Sequence, residues 1–175
     1  MSYQIIHPPS DEEYPSYYKR YVSLVTGGDL IGYFLSQKET LGSLITSLPQ
    51  SKLHYRYSEG KWTVLDVAQH IIDSERVFAY RALTFARGDE TELPGFEEND
   101  YAKVANTSER TAESIRKEFE AVRNSTIALF ESLDEQAIQR RGIANGRPVS
   151  VRAIGYIIAG HELHHLGVIK ERYLS

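Results

Sequence analysis

Apolar residues recur at three- and four-residue steps through most of the chain, and no sustained two-residue alternation marks a half-buried strand. The first such segment runs from about Gly28 to Leu48. Leu30, Ile31, Phe34, Leu35, Leu41, Leu44, Ile45 and Leu48 form its stripe, which stops before Pro49. The second follows Thr63, a good N-cap, and continues from Val64 to Arg87, before Gly88. The third follows the cap candidate Ser108 and runs to about Leu133, with Ile115, Phe119, Val122, Leu129, Phe130 and Leu133 along one side. The fourth follows Ser150 and extends from Val151 to about Tyr173. Four long helices of this kind predict an all-α protein, a four-helix bundle.

Two longer connections interrupt the pattern. Glu92 to Ala105 contains Leu93-Pro94-Gly95 and an acidic run, and predicts a crossover with a short helix around Asp100 to Val104. Arg140 to Ser150 contains Asn145-Gly146, which favours a tight hairpin turn. Residues 1–25, with Tyr14, Tyr17, Tyr18 and Tyr21, predict a short helical extension packed on the bundle. At 175 residues, the whole of 1–175 reads as one domain.

Composition narrows the chemistry. Twenty basic against twenty-four acidic residues leave a net charge of −4, without the basic surplus that nucleic-acid binding requires. The longest apolar run, Ala153 to Gly160, is too short to span a bilayer, and Ile5-Ile6 is no signal-peptide core, so a cytoplasmic protein away from membranes is expected. Cysteine is absent, so thiolate metal clusters and cysteine nucleophiles are excluded, and any catalytic thiol must arrive from outside. Six histidines remain as the metal-ligand candidates.

His161 and His165 are four residues apart, which on a helix leaves them about 40° out of alignment and able to reach one ion. They continue the stripe of Ile154, Ile157 and Ile158, so they should point inward, where imidazoles need partners. A metal is one such partner; core hydrogen bonds are another. His161-Glu162-Leu163-His164-His165 also satisfies H-E-x-x-H, but the extended form fails, because Val168 and Glu171 stand where its glycine and third histidine would be. For a third ligand, His7 and His54 lie on segments without stiffness, and His164 sits beside the pair as a neighbour. His70 is the best-placed candidate, about a turn and a half into the second helix on a polar edge with Asp66, Asp73, Ser74 and Arg81. An ordinary solvated edge would show the same pattern. Asp73 and Glu75 are possible supporting carboxylates and Arg81 a possible contact for an acidic substrate, although a bundle edge carries such charges without any role.

Tyr57-Ser58-Glu59-Gly60-Lys61-Trp62-Thr63-Val64 through His70 to Asp73-Ser74-Glu75-Arg76, followed by Ala159-Gly160-His161-Glu162-Leu163-His164-His165-Leu166, resembles the DinB-like superfamily. Leu93 to Tyr101 and Ala144-Asn145-Gly146 are similar to family positions as well, so the resemblance covers nearly the whole chain. It implies a bundle of the DinB/YfiT type in which His70, His161 and His165 bind a divalent metal, zinc or nickel ahead of iron or manganese. His164 is similar to a family histidine that is not usually a ligand, and with Asp73 and Arg81 it would border the site. Metal-dependent hydrolases and S-transferases using a low-molecular-weight thiol belong to the group. The expectation is therefore a metal-dependent enzyme of one of these two kinds, acting on a small molecule, with a homodimer implied by the resemblance. A non-enzymatic metal- or small-ligand-binding protein of stress physiology is the alternative class.

Overall fold

The computed structural model describes residues 5–174, so residues 1–4 of the expected extension, and Ser175 of the expected 1–175 domain, lie outside the described residues. After two short 3-10 turns the chain forms α1 (Lys19–Val22), α2 (Leu30–Gln37), α3 (Thr40–Ser47), α4 (Gln50–Leu53) and α5 (Val64–Ala86). The crossover carries α6 (Glu98–Val104), and α7 (Ala112–Glu131), α8 (Glu135–Gln139), β1 (Arg141–Ala144), β2 (Arg147–Ser150) and α9 (Val151–Arg172) complete it. The broken pair α2/α3 with α5, α7 and α9 makes the expected four-helix bundle, α5 packing most extensively on α9.

The second and fourth helices begin where local chemistry places them. Thr63 caps α5 in a reciprocal box: its hydroxyl accepts from the Asp66 amide at 3.1 Å, and its own amide donates to Asp66 Oδ2 at 2.8 Å. Ser150 caps α9 by accepting from the Ala153 amide at 3.1 Å.

The first and third expected helices are corrected. The segment 28–48 is two helices, capped by Asp29 and broken at Lys38-Glu39. Leu30, Ile31 and Phe34 join a core cluster with Phe130 and α9, whereas Leu41 and Ile45 join a second cluster with Ile115 and Phe119, so the break turns the apolar face from one to the other. Leu35, counted in the stripe, is exposed. The third helix starts not after Ser108 but after Thr111, whose hydroxyl accepts from the Ser114 amide, while Thr107–Glu109 forms a 3-10 turn.

The crossover and hairpin interlock. Asn145 and Gly146 both take positive φ, 52° and 68°, as a two-residue hairpin turn requires. The Leu93 amide donates to the Ile143 carbonyl and the Asn145 amide to the Leu93 carbonyl, each at 2.9 Å, stitching the crossover to the hairpin. The N-terminal extension is tied down by the buried Glu13, which accepts from Ser150 Oγ at 2.8 Å and from Arg152 Nε at 2.7 Å. No helix among the described residues is long and apolar enough to cross a membrane.

Candidate metal centre

α5 and α9 present three imidazoles to one point. His70 Nε2 lies 3.0 Å from His161 Nε2, and His165 Nε2 lies 3.1 Å from the same atom. His70, His161 and His165 each offer a ring nitrogen within 4.8 Å of the others. His161 and His165 come together because they are one helical turn apart, and His70 because the long α5 lies along α9.

Burial favours the neutral form of all three. It lowers His70 to about 4 and His165 to about 3, and it carries His161 well below the usual imidazole value, with the neighbouring histidines adding to the effect on both α9 rings. A neutral imidazole nitrogen carries either one hydrogen or one lone pair. His161 Nε2 therefore cannot make two well-aligned hydrogen bonds with its two close nitrogen neighbours, whereas a single cation satisfies all three nitrogens. Separations of 3.0 and 3.1 Å are also within the roughly 4 Å that two donors at about 2.0–2.1 Å from one ion can span. The donor set fits a divalent metal of the zinc, nickel or iron type, and with three protein ligands it leaves room for a substrate.

Surrounding side chains fix the rings. Ser74 Oγ stands 3.4 Å from His70 Nδ1, one turn along α5, where it can accept the proton that leaves Nε2 free. Trp62 packs on His70 with ring centres 4.9 Å apart, and Tyr21 of α1 meets the edges of His161 and His164 at 5.3 Å. Tyr21 reaches them because Gly160 lets the α1 backbone touch α9: a Cβ there would stand 2.1 Å from the Tyr21 carbonyl oxygen. The tyrosine-rich pattern predicted only that this extension packs on the bundle; that it forms a wall of the site was not legible.

The other expected residues separate clearly. His164 is half-buried beside the triad, its ring centre 5.0 Å from that of His165, and its nitrogens are not part of the converging set. Asp73 turns aside to accept from Gln69 Nε2 at 3.0 Å, within a network that includes Glu118, Arg76 and Arg110. His7 and His54 are exposed. The edge around His70 is not solvated, since Asp66, Gln69, Ser74 and Arg81 are all buried.

Glu75 is neither a surface charge nor a hydrogen-bond partner of the histidines. It accepts from the fully buried Arg123 through Nε at 2.9 Å and Nη2 at 2.8 Å. Arg123 Nη2 also lies 2.8 Å from Glu162 Oε2, an ion-pair contact not aligned as a hydrogen bond. Burial raises the Glu162 carboxyl to about 7 despite the opposing Arg123. The glutamate of the H-E-x-x-H match is thus a core partner of α7, which removes the protease reading on structural grounds.

A cavity of about 780 Å³ opens onto His70 and His161. Its walls are the tyrosines of the N-terminal extension, Ser74, Phe78 and Arg81 of α5, the crossover at Gly95 and Phe96, and the hairpin from Ala144 to Pro148.

The family model of the DinB superfamily matches residues 34–169. The chain belongs to the DinB superfamily. A relative from Oceanobacillus iheyensis named "Putative metal-dependent hydrolase" is 31% identical over 144 residues, covering 78% of this chain and 82% of its own. A protein of the same name from Geobacillus thermodenitrificans is 26% identical over 135 residues, 75% of each chain. Among solved structures, YfiT from Bacillus subtilis, described as "a probable metal-dependent hydrolase with an unusual four-helix bundle topology", superposes with a TM-score of 0.71 at 17% identity, over 97% of this chain and 94% of its own. YjoA from Bacillus subtilis superposes with a TM-score of 0.56 at 22% identity, over 80% and 85%. At these identities the two structures establish the shared fold.

Proposed function

We propose that this DinB-superfamily chain is a divalent-metal-dependent enzyme acting on a small molecule, with His70, His161 and His165 as the metal ligands. The convergence of three neutral Nε2 atoms on one point carries the reading. When bound, a divalent ion supplies Lewis acidity that brings a coordinated water or thiol toward ionisation near neutral pH. The chain's own groups do the rest. Ser74 orients His70, Trp62 and Tyr21 shield the rings from bulk water, and the cavity admits substrate against the His70 and His161 side. Hydrolysis accords with the names of the relatives. Transfer of an external low-molecular-weight thiol is the second reaction the site accommodates, favoured by a chain that has no cysteine of its own.

The test is metal stoichiometry. Purified protein should hold one zinc or nickel per chain by elemental analysis, and His70→Ala should hold none while keeping its helical circular dichroism. One tightly held ion in that variant would sink the triad. Metal-dependent turnover of esters, amides or phosphates, or of thiols with electrophiles, should disappear in His161→Ala; inactivity across these panels would favour a binding protein.

A further inference from the structure

Arg81 is the buried cation for which the structure provides no anion. Its residue is only 4% exposed, yet among the described residues no carboxylate lies within ion-pair distance of it, unlike Arg123 and Arg152, which have theirs. Its Nη2 donates to the Pro94 carbonyl at 2.8 Å and the Tyr18 hydroxyl stands beside it, yet a guanidinium has five N–H groups and neither partner is an anion. The side chain lines the same cavity as His70 and His161. Burying an unpaired guanidinium is costly, so a structural role alone, holding Pro94, would be served more cheaply by a neutral donor.

Its placement sets a length. Eleven residues on from His70, Arg81 returns to within about 20° of the same face of α5. Its guanidinium carbon is 5.5 Å from the Phe78 ring centre, and that centre is 6.4 Å from the His161 ring centre, so the guanidinium lies within about 12 Å of the histidine. Between them the wall is aromatic: Tyr18 meets Phe78 edge-on at 6.0 Å, and Phe96 stands 5.9 Å from the guanidinium. Glu12, Glu98 and Arg147 also line the cavity; Glu12 and Arg147 are exposed and Glu98 is half-buried. Arg81 is therefore the most deeply buried charge in the wall.

We propose that Arg81 is the anion-binding subsite of this centre, and that the substrate is a small, elongated molecule with an apolar or aromatic body and a terminal carboxylate. The proposal rests on the metal-centre reading above. A planar fork facing a single negative charge suits a carboxylate, which it can take through two parallel hydrogen bonds. Allowing for the contacts at both ends, the carboxylate sits no more than about 8 Å from the atom presented to the histidines.

The test uses monohydroxamates of straight-chain dicarboxylic acids, from succinic to sebacic, with their methyl esters and acetohydroxamate, titrated by calorimetry into zinc-loaded full-length protein. The acids should bind about tenfold or more tightly than their esters, with a maximum at intermediate length. Arg81→Gln should abolish that difference and leave acetohydroxamate binding unchanged. Equal affinity of acids and esters at every length in the unaltered chain overturns the proposal, whether or not the variant folds. Matching phosphonates that bind a further tenfold more tightly than the acids would overturn the carboxylate assignment. If acetohydroxamate fails to bind, the metal reading fails by itself, and Arg81 is then judged with 4-phenylbutyrate against its amide. A preference for the acid that Arg81→Gln removes supports the subsite, and no preference overturns it.

Discussion

Arg123→Met should destabilise the protein by about 3–5 kcal/mol, because it removes the only cation from a buried three-residue cluster. Arg123 is fully buried, flanked by the rings of Phe34 and Phe119 at 5.1 and 5.0 Å, with Glu75 bonded to it in two places and Glu162 in ion-pair contact. Methionine nearly conserves the volume, so the cavity contribution is small and the loss comes from stranding two carboxyl groups in the core. Urea unfolding followed by circular dichroism would read the difference directly, and the melting temperature should fall by roughly 10 °C for a chain of this size. Rescue should also be possible. Combining Arg123→Met with Glu75→Leu and Glu162→Leu replaces the whole cluster with apolar groups and should return most of the lost stability. If Arg123→Met stays within about 1 kcal/mol of the unaltered protein, or the triple variant is no more stable than the single one, the cluster is not the interior strut described here.

Two further perturbations probe the wall of the site. Gly160→Ala places a Cβ 2.1 Å from the Tyr21 carbonyl oxygen, a backbone atom that cannot simply rotate away. It should cost about 1–3 kcal/mol or push α1 off α9, seen as faster proteolysis within residues 10–27; unchanged stability and proteolysis would contradict the contact. Glu13 gives a pH dependence. Burial alone would raise its carboxyl, but Arg152, the Ser10 amide and the Ser150 hydroxyl outweigh that and lower it from 4.5 to about 2. Its contribution, on the order of 2–3 kcal/mol, is therefore present above about pH 4.5 and is lost as the pH falls toward 2. Glu13→Gln should flatten that part of the stability profile between pH 5 and 2, and an unchanged profile would refute the assignment.

How much of this was legible depends on how local its cause is. The Thr63 box and the Asn145-Gly146 turn are settled within four residues, and both stand where the pattern put them. The break at Lys38-Glu39 is not local, because it exists to turn one apolar stripe toward two different core clusters. Ser108 and Thr111 are both hydroxyl residues at plausible distances from the next stripe, and only the folded backbone decides between them. The i,i+4 histidines were legible as a pair; His70, ninety-one residues before His161, could be chosen only by elimination and by family resemblance. The ion cluster left a signal that could have been used. Glu75, Arg123 and Glu162 each fall in core register on their helices, and their charges are complementary, but their pairing spans the whole bundle. The cavity had no signature at all, since its walls come from five separate parts of the chain.

The two polar clusters share their helices, and that explains how the imidazoles are held. On α5, His70 and Glu75 point about 140° apart, and on α9, His161 and Glu162 point about 100° apart, so each helix carries members of both clusters on different sides. Any rotation of α9 about its axis that eased one cluster would strain the other, and α9 is buried on every side from Ala153 to Glu162. The pairing of Arg123 with Glu75 and Glu162 therefore acts as a rotational lock on the helices that bear the histidines, which is the rigid support a multi-ligand site requires. The opposite wall is built otherwise. The N-terminal extension is attached through Glu13, through Tyr156 Oη donating to the Ile6 carbonyl at 2.9 Å, and through the close approach at Gly160. None of these contacts involves a triad nitrogen. The helices that bear the histidines and the wall built by the N-terminal extension are thus fastened by separate sets of bonds, so the wall can vary in shape and chemistry while the three imidazoles keep their geometry. The proposed metal centre and the proposed substrate preference, expressed through Arg81 and the aromatic wall, are compatible for that physical reason.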